Sequence, residues 1–268
     1  MAESKGFNIR RQTGFATIAV ACFVLLYLPI LLLVAYSFNS GSSIAIWEGF
    51  SWRWYQSAWE NELVQEATVR SLIIAVWASL ISTTVAVLAA LATTRTRKFK
   101  GQGAVFAMIN QPLMVPEIVT AVALLIFFAM IKVATGYSGL LYLIIAHSAF
   151  CIPFAYLPIR ARLQGMDLSL EQAAADLYAT PFQAFRRITL PQLWPGILAG
   201  AMLAFVISLD DVVITEFVKS AGQDTLPTYM LGQLRRVITP EINAISTVLI
   251  GISVTMVIGF TLLSKIRN

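Results

Sequence analysis

The chain has 268 residues, of which 58% are hydrophobic and only 12% are charged, and its formal net charge at neutral pH is +5. Because a soluble domain carries about 25% charged residues, this composition excludes a soluble protein and indicates one that crosses a membrane several times. The positive charges lie in short loops beside apolar segments, which indicates membrane topology and not nucleic-acid binding. Cys22 and Cys151 both lie in apolar runs and imply no disulfide framework.

Six apolar segments are each close to the roughly 20 residues that a membrane-spanning helix needs. In chain order they cover residues 15–38, 71–94, 105–131, 139–159, 196–218 and 244–264. The first is too long for the apolar core of a signal peptide, so we expect it to be retained. The pattern predicts an all-α membrane protein in which residues 1–268 form a single transmembrane domain.

The distribution of positive charge predicts how these segments are oriented. With these spans, all but six of the 19 lysines and arginines fall on the same predicted side of the membrane. The six exceptions are Arg53, Arg70, Lys132, Lys219, Arg235 and Arg236. Because cytoplasmic loops carry an excess of Lys and Arg, we expect both termini and the polar residues 160–194 to be cytoplasmic. The loops 39–70 and 219–243 are then on the outer side.

The first outer loop is rich in tryptophan. Four of the six tryptophans fall between residues 39 and 70, and Trp52, Tyr55 and Trp59 recur at helical spacing. This spacing predicts a helix lying along the outer surface. Such rings anchor a protein at the membrane interface, or they dock a soluble partner protein, and the two roles can coexist.

The third apolar segment contains an acidic residue directly after two prolines. Glu117 follows Pro112 and Pro116 and lies roughly 18 Å along a helix from Val105, near the middle of a bilayer. Prolines four residues apart disturb one face of a helix and free backbone carbonyls there. We therefore expect a bent segment that lines a cavity, with a purely structural ion pair as the alternative.

The fifth apolar segment contains two adjacent aspartates, Asp210 and Asp211. On a continuous helix their side chains point about 100° apart, so at most one can face a pore. An intramembrane carboxylate costs several kcal/mol unless it is paired or hydrated. One interpretation is a path for a cation, formed with Glu117. The other is structural, with the aspartates paired to Arg235, Arg236 or the N-terminus of a helix.

Three residues in the spans are expected to have packing roles and not binding roles: His147, Gly196 and Gly200. His147 is the single histidine, so a metal site is disfavoured and a hydrogen-bonded packing role is expected. Gly196 and Gly200 form a small-xxx-small face that predicts close contact between helices. The small residues of the second segment predict the same kind of contact: Ala75, Ser79, Ser82, Thr83, Ala86 and Ala90.

The polar residues 160–194, hereafter the coupling segment, contain two signals for the start of a helix. Ser169 with Gln172, and Thr180-Pro181 with Gln183, both have the spacing of a capping box. Helices this short fray alone in water. A helix-turn-helix on the cytoplasmic side is therefore expected to dock on a partner.

This segment resembles the coupling loop of ABC-importer permeases. The residues that carry the resemblance are Gln172-Ala173-Ala174, Asp176-Leu177, Ala179, Phe185, Ile188 and Leu190-Pro191. Two positions depart from the family pattern: Gln172 replaces a glutamate and Tyr178 replaces a glycine. At Tyr178 the chain either continues as helix or adopts the left-handed conformation that glycine tolerates best.

The resemblance implies a type I importer fold with six transmembrane helices in a bacterial inner membrane. It also implies a second permease chain, two ATPase subunits, an extracytoplasmic solute-binding protein and contact with membrane lipid. ATP and Mg would bind to the ATPase, since this chain has no phosphate-binding Walker loop and no catalytic constellation of its own. The residues expected to contact the ATPase are Ser169, Gln172, Ala173, Ala174, Asp176, Leu177, Tyr178, Ala179, Thr180, Leu190 and Pro191.

Within that family the chain is most similar to spermidine/putrescine importers. The similar runs are Ser208–Ile214, Pro116–Ile118 and Pro240–Ala244. Polyamine import is therefore the leading expectation, and another solute such as an opine or an amino-acid derivative is the alternative. A stand-alone secondary transporter or channel is a third interpretation. It is disfavoured because prolines cluster in one half only and not in matching positions of two repeats.

Overall fold

The computed structural model describes residues 13–44, 46–96, 99–236 and 239–266. Within these ranges the fold is all α-helical, as predicted, apart from one isolated bridge between Asn39 and Phe50. The helices are α1 (Thr13–Tyr36), α2 (Arg53–Glu60), α3 (Glu62–Thr94), α4 (Gln102–Met114), α5 (Glu117–Thr135), α6 (Leu140–Gln164), α7 (Ser169–Asp176), α8 (Pro181–Ala184), α9 (Leu190–Asp210), α10 (Val213–Val218), α11 (Leu226–Leu234) and α12 (Pro240–Ile266). A π-helical turn, Phe185–Thr189, joins α8 to α9.

Six helical stretches among the described residues are long and apolar enough to cross a membrane. They are Gly14–Tyr36, Glu62–Thr94, Glu117–Thr135, Leu140–Gln164, Pro181–Asp210 and Pro240–Gly259. The predicted number and order of the spans are confirmed. Their bounds differ from the prediction most at the third and fifth spans, where the helix is interrupted.

Contacts divide the described chain into two compact units. One contains α1, α2 and α12 as far as Gly251, and the other contains α3 to α11 with the remainder of α12. The single domain over residues 1–268 stays a prediction.

The larger unit is built on α3, α6 and α9, which pack against one another. The buried face of α3 is rich in small residues, as predicted: Ala75, Ala86 and Ala90 are fully buried, alongside the larger Ile74. On α9, a Cβ added to Gly200 would lie 2.7 Å from the carbonyl oxygen of Ala155 on α6. The close approach expected at this glycine face is confirmed. In a membrane such contact, and not the burial of apolar surface, supplies the attraction between helices.

The third span is interrupted before Glu117, which confirms the predicted bend. Val115 is extended (φ −101°, ψ 137°) and ends α4, as expected for a residue that precedes proline. Pro116 then sits at the N-cap of α5 and Glu117 is its first residue. The acidic side chain thereby lies at the positive end of the α5 dipole.

The fifth span is also interrupted, and here the prediction of a continuous helix over residues 196–218 was wrong. The helix α9 ends at Asp210, and Asp211 is extended (φ −64°, ψ 131°). A short helix, α10, starts at Val213. A carboxylate that caps the new helix offsets the backbone bonds lost at the break.

The end of the larger unit that contains α11 is held together by polar contacts. The backbone N–H of Leu226 donates to Ser71 Oγ at 2.7 Å, and Arg70 Nη1 donates to the carbonyl oxygen of Asp224 at 2.6 Å. Lys219 Nζ donates to Glu216 at 2.5 Å and to the Asp224 side chain at 2.6 Å. Partial burial opposes the charge on Lys219, but these two bonds outweigh it and raise the pKa of its ammonium group.

The smaller unit contains the predicted aromatic surface helix, α2, which is eight residues long. Trp54 is buried and its Nε1 donates to the carbonyl oxygen of Gly41 at 3.1 Å. Phe38 contacts the rings of Trp52 and Tyr55, with centroids 4.9 and 5.1 Å apart. Most of the Trp52 surface is exposed, so this aromatic cluster is open to the outside of the chain.

Candidate functional site

The two helix breaks bring the three predicted carboxylates together. Glu117 opens α5, Asp210 ends α9, and Asp211 connects α9 to α10. Because α5 packs against α10, the Glu117 carboxyl neighbours that of Asp211. The sequence placed Glu117 in a different span from the two aspartates, and the fold brings its carboxyl group beside that of Asp211.

Asp211 is buried and its carboxylate caps α10. The backbone N–H of Thr215 donates to Oδ1 at 2.9 Å, and that of Ile214 donates to Oδ2 at 3.4 Å. The Thr215 hydroxyl donates to the same Oδ1 at 3.0 Å. Of the structural partners considered for the aspartates, namely Arg235, Arg236 and a helix N-terminus, it is the N-terminus of α10 that Asp211 contacts.

His147, on α6, contacts residues on both sides of the break between α9 and α10. Its Nδ1 lies 2.9 Å from Ser208 Oγ on α9, and its Nε2 lies 2.9 Å from Thr215 Oγ1 on α10. Because the Thr215 hydroxyl donates its single proton to Asp211, it can only accept from His147, so Nε2 carries a proton. The imidazole is 1% exposed, which confirms the expected hydrogen-bonded packing role.

Asp210 and Glu117 differ from Asp211 in their exposure. Asp210 is exposed and Glu117 is half-buried. Among the described residues, neither carboxylate forms an ion pair, and in particular neither meets Arg235 or Arg236. Asp210 and Glu117 therefore have no cationic partner among the described residues, whereas backbone N–H groups of α10 bind the Asp211 carboxylate.

The coupling segment folds as two short helices, α7 and α8, followed by the π-helical turn. Tyr178, between the helices, has a left-handed backbone with φ 57°, and it is 95% exposed. The Thr180 capping box is confirmed: its hydroxyl accepts from Gln183 N at 3.3 Å, and its N–H donates to Gln183 Oε1 at 3.0 Å. The helix α9 then starts at Leu190-Pro191, with proline in its first turn.

The capping box predicted for Ser169 and Gln172 was wrong. Ser169 lies inside α7, and Asp167 supplies the cap: it accepts from the Ser169 backbone N–H at 2.9 Å and from the Ser169 hydroxyl at 2.7 Å. These two bonds lower the pKa of the Asp167 carboxyl. An aspartate two residues before the serine was the signal that could have found this cap, because an ionised carboxylate accepts two donors at once.

The surface of the coupling segment is apolar between its two helices. Leu177, Tyr178 and Phe182 are 82%, 95% and 68% exposed. Gln172, Ala173 and Asp176 are also exposed, Ala179 and Leu190 are partly covered, and Ala174 is buried. The fold therefore presents most of the predicted contact residues on one exposed stretch of chain.

Glu171 is the residue of this segment that the sequence did not single out. Its Oε1 accepts from Arg95 Nε at 3.2 Å and from Thr189 Oγ1 at 3.0 Å. Arg95 caps the end of α3 and Thr189 directly precedes α9. The one sign of this role in the sequence was that Glu171 directly precedes Gln172. Its partner Arg95 lies 76 residues away.

Comparison with known families identifies the class of this fold. Residues 82–266 match the family described as "Binding-protein-dependent transport system inner membrane component". The chain belongs to this family and is a transport permease subunit of the membrane.

Two relatives of the chain are polyamine permeases by name. It is 39% identical over 232 residues to "Putrescine transport system permease protein PotI" of Escherichia coli (strain K12), covering 85% of this chain and 83% of the relative. It is 37% identical over 246 residues to "Spermidine/putrescine transport system permease protein PotC" of Haemophilus influenzae, covering 92% and 94%. Among solved structures, a bacterial alginate ABC transporter in complex with a periplasmic protein shares the fold, with TM-score 0.76, 16% identity and 97% coverage of both chains.

Proposed function

We propose that the chain is the permease subunit of an ATP-driven importer of polyamines such as putrescine and spermidine. The observation that supports this solute class is the junction of α5, α9 and α10, where the carboxyl groups of Asp210 and Glu117 form no ion pair with a described side chain. The names of the relatives support the same solute class.

The three carboxylates have different roles in the proposed path. Asp210 and Glu117 attract the ammonium groups of the solute, because a carboxylate within a membrane is stabilised by a cation that reaches it. Asp211 does not contact the solute: its charge is balanced by the backbone N–H groups of α10. Asp211 instead fixes the break that places Asp210 on the surface.

The partners follow from the family and from the coupling segment. A second permease chain completes the path, two ATPase subunits bind ATP and Mg, and a solute-binding protein delivers the polyamine from outside. The alginate transporter complex, which includes a periplasmic protein, supports this last partner. We propose that ATP and Mg bind to those ATPase subunits and not to this chain.

The ATPase dimer is the partner of the coupling segment. Ser169, Gln172 and the exposed Leu177–Thr180 stretch lie nearest to it, and its closure drives the path open to the outside. Hydrolysis and release return the path to the inward state. The apolar exposure of Leu177, Tyr178 and Phe182 supports this contact.

The orientation proposed for the chain places both termini and α7 in the cytoplasm of a bacterial cell, with residues 1–268 acting as one permease domain. The aromatic cluster beside α2 then lies on the outer side. The excess of positive charge beside the coupling segment supports this orientation.

A solute panel tests the proposed substrate. The complex is purified through a tag on this chain, reconstituted with its binding protein, and assayed for ATP hydrolysis with putrescine, spermidine, neutral amino acids and sugar-derived opines. Stimulation by the polyamines alone is the expected result. Stimulation by a neutral amino acid or an opine, but not by polyamines, would refute the substrate while leaving the permease role intact.

A further inference from the structure

We propose that Arg95, Glu171 and Thr189 form a mechanical linkage that transmits movement of α7 to α3 and α9. Glu171 is the positioning residue of this linkage, and Gln172 is not part of it. The inference rests on the proposed coupling function, since it names the side chains through which ATPase movement enters the membrane helices.

The linkage is a single carboxylate oxygen held between two helices. Glu171 Oε1 accepts from Arg95 Nε, at the end of α3, and from Thr189 Oγ1, at the start of α9. The side chains of Arg95 and Glu171 are 17% and 23% exposed, and Thr189 is 4% exposed. Because these side chains are mostly covered, each depends on the others for a hydrogen-bond partner, and loss of one partner leaves a covered polar group unsatisfied.

Helix dipoles favour the charges of Glu171 and Arg95. Glu171 lies in the first turn of α7, where the N-terminus of the helix favours negative charge. Arg95 caps the C-terminus of α3, where positive charge is favoured. The two helix ends therefore face each other with the charges that stabilise both.

The helix α7 has few other means of holding the membrane helices. It has eight residues, of which Ala174 alone is buried, and a helix of this length is unstable by itself. Among the described residues, the side-chain hydrogen bonds that join α7 to a membrane-spanning helix or its capping residues are those of Glu171. Gln172, by contrast, is exposed.

The helices α3 and α9, which the linkage connects to α7, lead to the outer loop and to Asp210 respectively. At about 1.5 Å per residue, α9 carries a movement at Thr189 to Asp210, the last of its 21 residues. The other end of α3 holds the outer loop, through the bond from Leu226 N to Ser71 Oγ. One carboxylate thus acts on the candidate path and on the outer closure at the same time.

The experiment measures coupling in the purified and reconstituted complex, as putrescine imported per ATP hydrolysed. Three variants are compared: Glu171→Gln, the charge exchange Arg95→Glu with Glu171→Arg, and the control Glu66→Gln. Glu66 is 67% exposed and pairs with Arg70 at 3.8 Å at the opposite end of α3, so its substitution removes a carboxylate without touching the linkage. Docking is followed in parallel by cross-linking a Leu177→Cys variant to the ATPase in a Cys22→Ser background.

The expected result is a fall of about fivefold or more in putrescine per ATP for Glu171→Gln, the lower end of measured coupling between sites, with partial recovery in the charge exchange and no change in Glu66→Gln. The Leu177→Cys cross-link should persist in each variant. A cross-link that persists while Glu171→Gln couples as well as Glu66→Gln would overturn the linkage and leave the coupling function standing. An absent cross-link in the otherwise unchanged chain would overturn both.

Discussion

Asp211 and Thr215 are joined twice, through a backbone N–H at 2.9 Å and a hydroxyl at 3.0 Å, both directed at the same carboxylate oxygen. The interruption between α9 and α10 is therefore a capped junction and not a loose hinge. His147 reinforces it by contacting Ser208 before the break and Thr215 after it. The backbone geometry that exposes Asp210 depends on these buried groups.

Removal of the Asp211 carboxylate is expected to unfold this junction. Asp211→Ala loses an N-cap, at about 1 kcal/mol, and leaves buried donors unsatisfied, at about 1–3 kcal/mol. We expect a clear fall in melting temperature in detergent, together with less assembled complex. Asp210→Ala is the matched control and should melt like the unchanged chain, because Asp210 is exposed. Equal destabilisation by both variants would contradict the capping role.

The adjacent aspartate is expected to affect transport and not stability. Asp210→Asn keeps the shape of the side chain and removes its charge, so the half-saturating putrescine concentration should rise about tenfold, equivalent to about 1.4 kcal/mol. The amount of assembled complex should not change. Uptake measured against complex quantity separates the two effects. Parallel loss of uptake and of assembly would show that Asp210 is structural.

Sequence patterns within a few residues predicted the spans, the Thr180 capping box and the bend before Glu117. Apolar segments long enough to span a bilayer became helices. The Thr180–Gln183 spacing became a capping box, because both bonds form within four residues. The bend before Glu117 follows from Pro116, whose ring excludes a continuing helix at Val115.

Features that depend on distant contacts could not be predicted in this way. The sequence around Asp211 predicts a continuous apolar helix, whereas the break is stabilised by His147, which reaches it from α6 and contacts Ser208 and Thr215. The bond between Arg95 and Glu171 joins residues 76 positions apart. The sequence near Arg95 or Glu171 gives no sign of this bond. The bond becomes visible only when the packing of α3, α6 and α9 is known.

The contact between α9 and α6 predicts the effect of a single methyl group. Gly200→Ala places its Cβ 2.7 Å from the Ala155 carbonyl oxygen, which is backbone and cannot rotate away. The helices must separate, and overpacking of this kind costs about 1–3 kcal/mol. Gly232→Ala in α11 is the control, because no atom lies within 4 Å of the added Cβ. A melting temperature lowered only in Gly200→Ala is expected, and an unchanged Gly200→Ala variant would refute the contact.

The cap of α7 predicts unequal effects of two neighbouring substitutions. Asp167→Ala removes the acceptor of both bonds, so amide hydrogen exchange across α7 should accelerate. Ser169→Ala keeps the backbone bond and should exchange nearly as before. Because the pKa of Asp167 is lowered by these bonds, the cap is fully present above its ordinary value of about 3.9 and is lost as the pH falls below that value. Faster exchange in Ser169→Ala than in Asp167→Ala would restore serine as the cap.

Tyr178 allows the backbone and the ring to be tested separately. Its left-handed conformation, φ 57°, costs a non-glycine residue about 1–2 kcal/mol, while its 95% exposed ring forms no packing that would offset this cost within the chain. Tyr178→Gly removes the strain and the ring, Tyr178→Ala removes the ring alone, and Tyr178→Phe keeps a ring of the same size. If the ring docks on the ATPase, putrescine-stimulated ATP hydrolysis should fall by a similar factor in the glycine and alanine variants and persist in Tyr178→Phe. Full activity in the alanine variant would mean that the ring does not dock, and that the strained backbone alone distinguishes this position.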